Sequence, residues 1–209
     1  FPPICACPRR SGSFWPERGS DRMPKLVQNA ALFFLALSAG CTLLFSLAGW
    51  SPLLPLAITF GTAAYHLGAR LLVGKAFARW MANRADLSRR WYQPRPWEDK
   101  LYRLLRVKSW KDRMPTFYPD EFSPEKHSWE EIAQVMCQSE LVHETNILMS
   151  FLPLLAAIPF GGIWVFFLTS LLGGLFDLSL AILQRYNRPR VVRLARRQRR
   201  TEVRQETVG

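Results

Sequence analysis

The sequence predicts an all-α integral membrane protein. Its expected form is two helical hairpins, about four membrane segments, with a basic, aromatic-rich cytoplasmic region between them. Three observations carry this. Residues 30–50 and 52–69 hold no charge, and residues 145–183 hold one, Asp177. The 28 Lys and Arg fall almost entirely outside these blocks, against 16 Asp and Glu in a chain of 209 residues and net charge +12. Mean hydropathy is −0.03, an average that hides the segregation. Such a pattern excludes a soluble globular protein and a disordered chain. It also removes nucleic acid as the reason for the basic balance, because membrane proteins collect Lys and Arg in cytoplasmic loops.

Residues 1–22 are rich in Pro, Ser, Gly and Arg without an apolar period, and are read as a disordered or non-native leader. Ser38-Ala39-Gly40-Cys41 faintly resembles a lipoprotein cleavage site, but the aliphatic residue usual three places before the Cys is missing and the apolar run continues to Trp50. The four cysteines (Cys5, Cys7, Cys41, Cys137) make no disulfide framework and no zinc spacing, so no metal is expected.

The first hairpin is placed at residues 23–74. A crossing needs about 20 apolar residues. Leu26–Trp50 supplies them, Pro52–Val73 less cleanly, and Gly49-Trp50-Ser51-Pro52 is too short for anything but a tight turn. His66 and Arg70, one turn apart, are read as boundary residues reaching for water. Residues 75–128 form the region between the hairpins. Its Trp91, Trp97, Tyr102 and Trp110 alternate with Lys and Arg, which suits the headgroup level of a bilayer better than single-stranded nucleic acid.

The second hairpin is placed at residues 129–184, dividing at Pro159-Phe160-Gly161-Gly162. Its second half, Ile163–Leu183, is a full span. Its first, Thr145–Ile158, is short. Either it re-enters without crossing, or its helix starts earlier and carries Glu140, His143 and Glu144 to the membrane boundary. Residues 185–209 are a basic tail. Lys and Arg number 5 before the first span, 13 over Arg70–Arg113, one at Lys126 and 9 from Arg185 on. The positive-inside rule then gives a multi-pass protein of the cell membrane with both termini cytoplasmic.

On one helix from Trp129, the side chains of Trp129, Ile132, Met136, Glu140, His143 and Ile147 share an arc of about 80°. Glu140 and His143 thus stand one turn apart on an apolar stripe. A carboxylate beside an imidazole can hold it in the tautomer that leaves the other nitrogen as a base. The competing reading is two boundary residues bonded to loop groups. Asp177, the one acid in a hydrophobic run, is read either as a functional group or as the structural partner of an Arg such as Arg70 or Arg185. Gln184-Arg185-Tyr186-Asn187-Arg188-Pro189-Arg190 reads as a helix exit whose Pro fixes the turn and whose three Arg suit phosphate.

That last string resembles the exit from the last membrane span in the glycosyl-4,4'-diaponeurosporenoate acyltransferase family, which acylates the sugar of staphyloxanthin-type carotenoids. Arg106-Val107-Lys108-Ser109-Trp110-Lys111-Asp112-Arg113-Met114-Pro115 is similar to the family's Arg/Lys-x-Trp-Lys-x-x-Leu-Pro, with Met114 where Leu is commoner. Ser139-Glu140-Leu141-Val142-His143 is similar to its Glu-Leu-x-His. The resemblance covers roughly residues 97–195 and does not clearly reach the first hairpin.

It implies a membrane acyltransferase moving a fatty acyl group from an activated donor, such as acyl-coenzyme A, to a hydroxyl of a lipid or glycosylated isoprenoid. No cofactor is then needed beyond that substrate. In such an enzyme His143 is the expected base and Glu140 its orienter. Trp110, Lys111, Arg185, Asn187, Arg188 and Arg190 are expected around the donor phosphates, and Asp177 is a further intramembrane polar site. Neither the His-x-x-x-x-Asp of glycerolipid acyltransferases nor a Gly-x-Ser-x-Gly is present. Two other readings stand beside this one: a non-catalytic membrane protein binding anionic lipid or a partner enzyme through its basic face, and a membrane methyl or prenyl transferase.

Overall fold

The structure, a computed structural model, describes residues 22–208. The expected leader lies outside them, apart from Arg22, which opens the first helix. The described residues are helices and connecting turns without a strand: α1 (Arg22–Ala48), α2 (Leu53–Met81), α3 (Glu98–Leu104), α4 (Val107–Trp110), α5 (Trp129–Ser150), α6 (Ala157–Phe160) and α7 (Ile163–Val208). Four stretches, Met23–Ala48, Leu53–Met81, Trp129–Phe160 and Ile163–Thr207, are helical, long and apolar enough to cross a membrane. Their large apolar side chains point outward: Leu47 is 76% exposed and Ile158 83%. Helices apolar all round have no reason to exist in water unless something apolar covers them.

The chain divides into two compact units. The apolar unit comprises Arg22–Trp80 and Val142–Ser179; the basic unit comprises Met81–Leu141 and the chain from Leu180 on. In the apolar unit, Gly49 ends α1 at φ 64°, its N–H donating to the Phe45 carbonyl at 2.9 Å. A residue with a Cβ would be strained in that left-handed cap. The hairpin it makes is closed by Ser38 Oγ donating to the Ala57 carbonyl at 2.8 Å and by Phe34 stacked on Phe60.

Local chemistry shows where the helix of the third segment begins. Ser128 and Glu131 form a reciprocal capping box: Glu131 Oε2 accepts from the Ser128 N–H at 2.8 Å, and Ser128 Oγ accepts from the Glu131 N–H at 3.3 Å. That box starts α5 at Trp129, so Glu140, His143 and Glu144 all lie within one helix. After Ser150 the chain tightens to a 3-10 turn over Leu152–Ala156, where Pro153 denies the ladder a donor. It then reverses at Gly161 and Gly162, at φ 70° and 62°.

One expectation is corrected here. Pro189 does not end the last helix; it lies inside α7, which runs on to Val208. A Pro there removes one backbone bond and crowds the preceding turn. In that turn Arg185 and Arg188 are bonded through their side chains to carboxylates of the same unit, which hold the helix in place on the N-terminal side of the Pro.

Candidate active site

The apolar unit holds a polar cluster in which three helices present side chains at helical spacing: His66 and Arg70 from α2, His143, Asn146 and Ser150 from α5, and Ser170, Gly173 and Asp177 from α7. Asp177 is its centre and is 1% exposed. Its Oδ1 lies 3.0 Å from His143 Nδ1 and 3.5 Å from Asn146 Nδ2, and its Oδ2 lies 2.6 Å from Arg70 Nη2. An ionised carboxylate only accepts, so His143 carries its proton on Nδ1 and offers the lone pair of Nε2. No group among the described residues bonds that second nitrogen. The imidazole is 18% exposed, enough for a substrate to reach it.

Arg70 is held as firmly as the acid it faces. Its Nη1 donates to the His66 carbonyl at 2.6 Å and its Nη2 to the Gly173 carbonyl at 3.0 Å. Gly173 eases that approach: a Cβ there would stand 3.0 Å from Arg70 Nη2 and 3.3 Å from Ser150 Oγ, in tight contact with both. Arg70 is therefore not a boundary residue reaching for water. Of the two arginines weighed as partners of Asp177, it is the one that binds. Both His66 ring nitrogens are likewise buried and unbonded, and so is Ser170 Oγ.

The carboxylate on His143 is thus Asp177 and not Glu140. Glu140 belongs to a second cluster, within the basic unit. It is fully buried; Arg185 Nη1 donates to its Oε1 at 2.6 Å, and Arg188 Nη1 donates to its Oε2. Arg185 Nε also donates to Glu98 Oε1 at 2.8 Å, and Arg188 Nη2 to the Tyr92 carbonyl at 2.8 Å. Tyr102 donates to the other Glu98 oxygen at 3.1 Å. Burial, then the Glu98 carboxylate, push the Tyr102 hydroxyl above its usual range, so it stays a donor. Two acids and two arginines cancel, which is the condition for burying four charges together.

The other residues expected around phosphate are placed as follows. Trp110 Nε1 donates to the Leu105 carbonyl at 3.0 Å, and Lys111 Nζ pairs with Asp112 at 2.6 Å. The Arg190 guanidinium lies over the Tyr186 ring, 4.2 Å from its centroid, and donates to Tyr186 Oη at 2.8 Å and to Asn187 Oδ1 at 3.5 Å. Sequence reasoning missed Glu98, Tyr92, Asn146 and Ser150. Asn146 and Ser150 were legible as polar positions three and seven residues after His143, on its own face of an apolar helix. Glu98 and the Tyr92 carbonyl carried no such signal.

A buried acid and arginine holding an imidazole among apolar helices suit transfer of a group to a hydroxyl. The chain is an acyltransferase. It belongs to the glycosyl-4,4'-diaponeurosporenoate acyltransferase family of carotenoid biosynthesis, whose family model matches residues 88–197, more than half of its length. No curated protein and no solved structure matches it. The matched stretch includes His143, Asp177 and the whole Glu98–Glu140–Arg185–Arg188 cluster; Arg70 and His66 precede it.

Proposed function

We propose that the protein is membrane-bound and transfers a fatty acyl group from an activated donor to a hydroxyl of a lipid-type acceptor, a glycosylated isoprenoid by family. The observation that supports this most is the 3.0 Å contact between His143 and buried Asp177. In the proposed reaction His143 Nε2 takes the acceptor's hydroxyl proton as its oxygen attacks the acyl carbonyl. Asp177 stabilises the imidazolium and keeps the ring oriented, the role a buried acid plays behind a catalytic His. The tetrahedral intermediate collapses with cleavage of the bond to the donor. The departing group takes the proton back from His143, and the ester leaves. No cofactor enters, since the donor is already activated.

The location follows from the same chain. Because neither turn within a hairpin holds a Lys or Arg, and all but Lys25 and Arg70 lie at the termini or between the hairpins, we place the protein in the cell membrane with both termini cytoplasmic. Reporter tags at the C-terminus and within 91–111 are expected to read cytoplasm, and a tag reachable from outside at either place overturns that topology. The activity itself is tested by mass spectrometry of lipids and pigments from cells with and without the protein. The expected result is a glycosylated isoprenoid heavier by one fatty acyl group. No acylated species dependent on the protein would remove the proposal.

A further inference from the structure

The phosphate clamp expected from Arg185 and Arg188 is closed: both guanidiniums are paired with buried acids. Other cations of the same unit are not. Arg103, Arg106 and Lys108 have no carboxylate partner among the described residues. Together with Arg190 they line a cleft of about 730 Å³, whose single acid is Asp99. That volume is in the range of sites for nucleotide-sized ligands. All four cations are exposed, so water and salt screen their repulsion, and an anion with several charges close together can pair with all of them at once.

The wall is also shaped. Arg106 sits in the left-handed region at φ 48° and ψ 42°, unusual for a residue with a side chain. The Ser109 N–H and hydroxyl both donate to its carbonyl, at 2.9 and 2.8 Å, and fix the corner between α3 and α4. Backbone strain of this kind collects where a ligand is held. Tyr186 and Asn187 already restrain the exposed Arg190 side chain, which lowers the cost of ordering it on binding.

We infer that this cleft binds the phosphate-bearing nucleotide end of a coenzyme A thioester, the acyl donor. A single lipid phosphate would satisfy one or two of the four cations, whereas the pyrophosphate and ribose phosphate of coenzyme A supply enough charge for all of them. The inference rests on the proposed reading of the reaction as transfer from an activated donor. It keeps Arg190 from the expected phosphate site and replaces Arg185, Arg188 and Lys111 with Arg103, Arg106 and Lys108.

The test is titration of free coenzyme A onto the full chain in nanodiscs of uncharged lipid, at physiological ionic strength. Coenzyme A is expected to bind, dephospho-coenzyme A more weakly, and pantetheine not at all. Arg103→Gln, Arg106→Gln and Lys108→Gln combined is expected to raise Kd about tenfold or more, as charge-assisted bonds are lost. Arg193→Gln, Arg196→Gln and Arg197→Gln removes the same charge elsewhere and is expected to change Kd by about twofold at most, the scale of exposed charges at a distance. Equal weakening by both triple variants, no weakening by the first, or pantetheine binding as well as coenzyme A overturns the inference. So does turnover with an acyl carrier protein or phospholipid donor when coenzyme A does not bind; that outcome leaves the acyltransferase reading intact. Binding measured without turnover keeps the two apart: coenzyme A bound as described, with no acyl ester formed, would defeat the proposed reaction and not the site.

Discussion

Replacing His143 by Ala is expected to lower the initial rate of acyl transfer by about 10²–10⁴-fold, the range for loss of a positioned general base. The structure makes this a clean substitution. Asp177, the partner of His143, keeps its ion pair with Arg70 at 2.6 Å when the imidazole is gone, so no buried charge is abandoned and the fold is expected to survive. Asp177→Asn is different. It removes the charge that favours the imidazolium and also leaves Arg70, whose side chain is 20% exposed, without its carboxylate. That variant should lose rate and thermal stability together. The measurement is initial rate at matched protein level in nanodiscs, with thermal unfolding of each variant alongside. A His143→Ala enzyme within about threefold of wild type, well below the range for a lost base, would remove His143 from the mechanism.

Glu140→Gln is expected to cost about 3–5 kcal/mol of stability, the penalty for removing one member of a buried ion pair. From sequence, Glu140 is expected to orient His143 and to matter to rate. In the structure its two oxygens meet Arg185 and Arg188. Gln keeps the shape but not the charge. Arg185 would retain Glu98, while Arg188, 2% exposed, would keep neutral partners alone: the Tyr92 carbonyl, the Cys137 side chain, the new amide and the Tyr92 ring, 5.2 Å from its guanidinium. A buried cation without a counter-charge is the costly product. A Glu140→Gln, Arg188→Met double variant should therefore be more stable than Glu140→Gln alone, because it removes the orphaned charge. Chemical unfolding in detergent gives both values. A single variant within about 0.5 kcal/mol of wild type, the scale of an ordinary surface change, would contradict the burial argument.

Much of this protein was written in one dimension. Blocks of 18 residues or more with at most one charge mark the long helices, because backbone and side chains must both suit an apolar surrounding. Ser128 and Glu131 mark where α5 begins. The rarity of charge inside those blocks singles out Asp177, the arc of α5 and the Glu-Leu-x-His string single out Glu140 and His143, and the exit string singles out Arg185 and Arg188. Pro189 was the misleading signal: a local helix breaker is overridden where neighbouring side chains are pinned by ion pairs.

What only tertiary structure decided was who pairs with whom. Periodicity assigns a residue to a face of its own helix, and on that evidence Glu140 and His143, one turn apart, belong together. Yet His143 meets an acid 34 positions away and Glu140 an arginine 45 positions away. Which helix lies against a given face is set by the packing of whole helices. A buried charge must then take whatever opposite charge that packing delivers, since going without costs several kcal/mol.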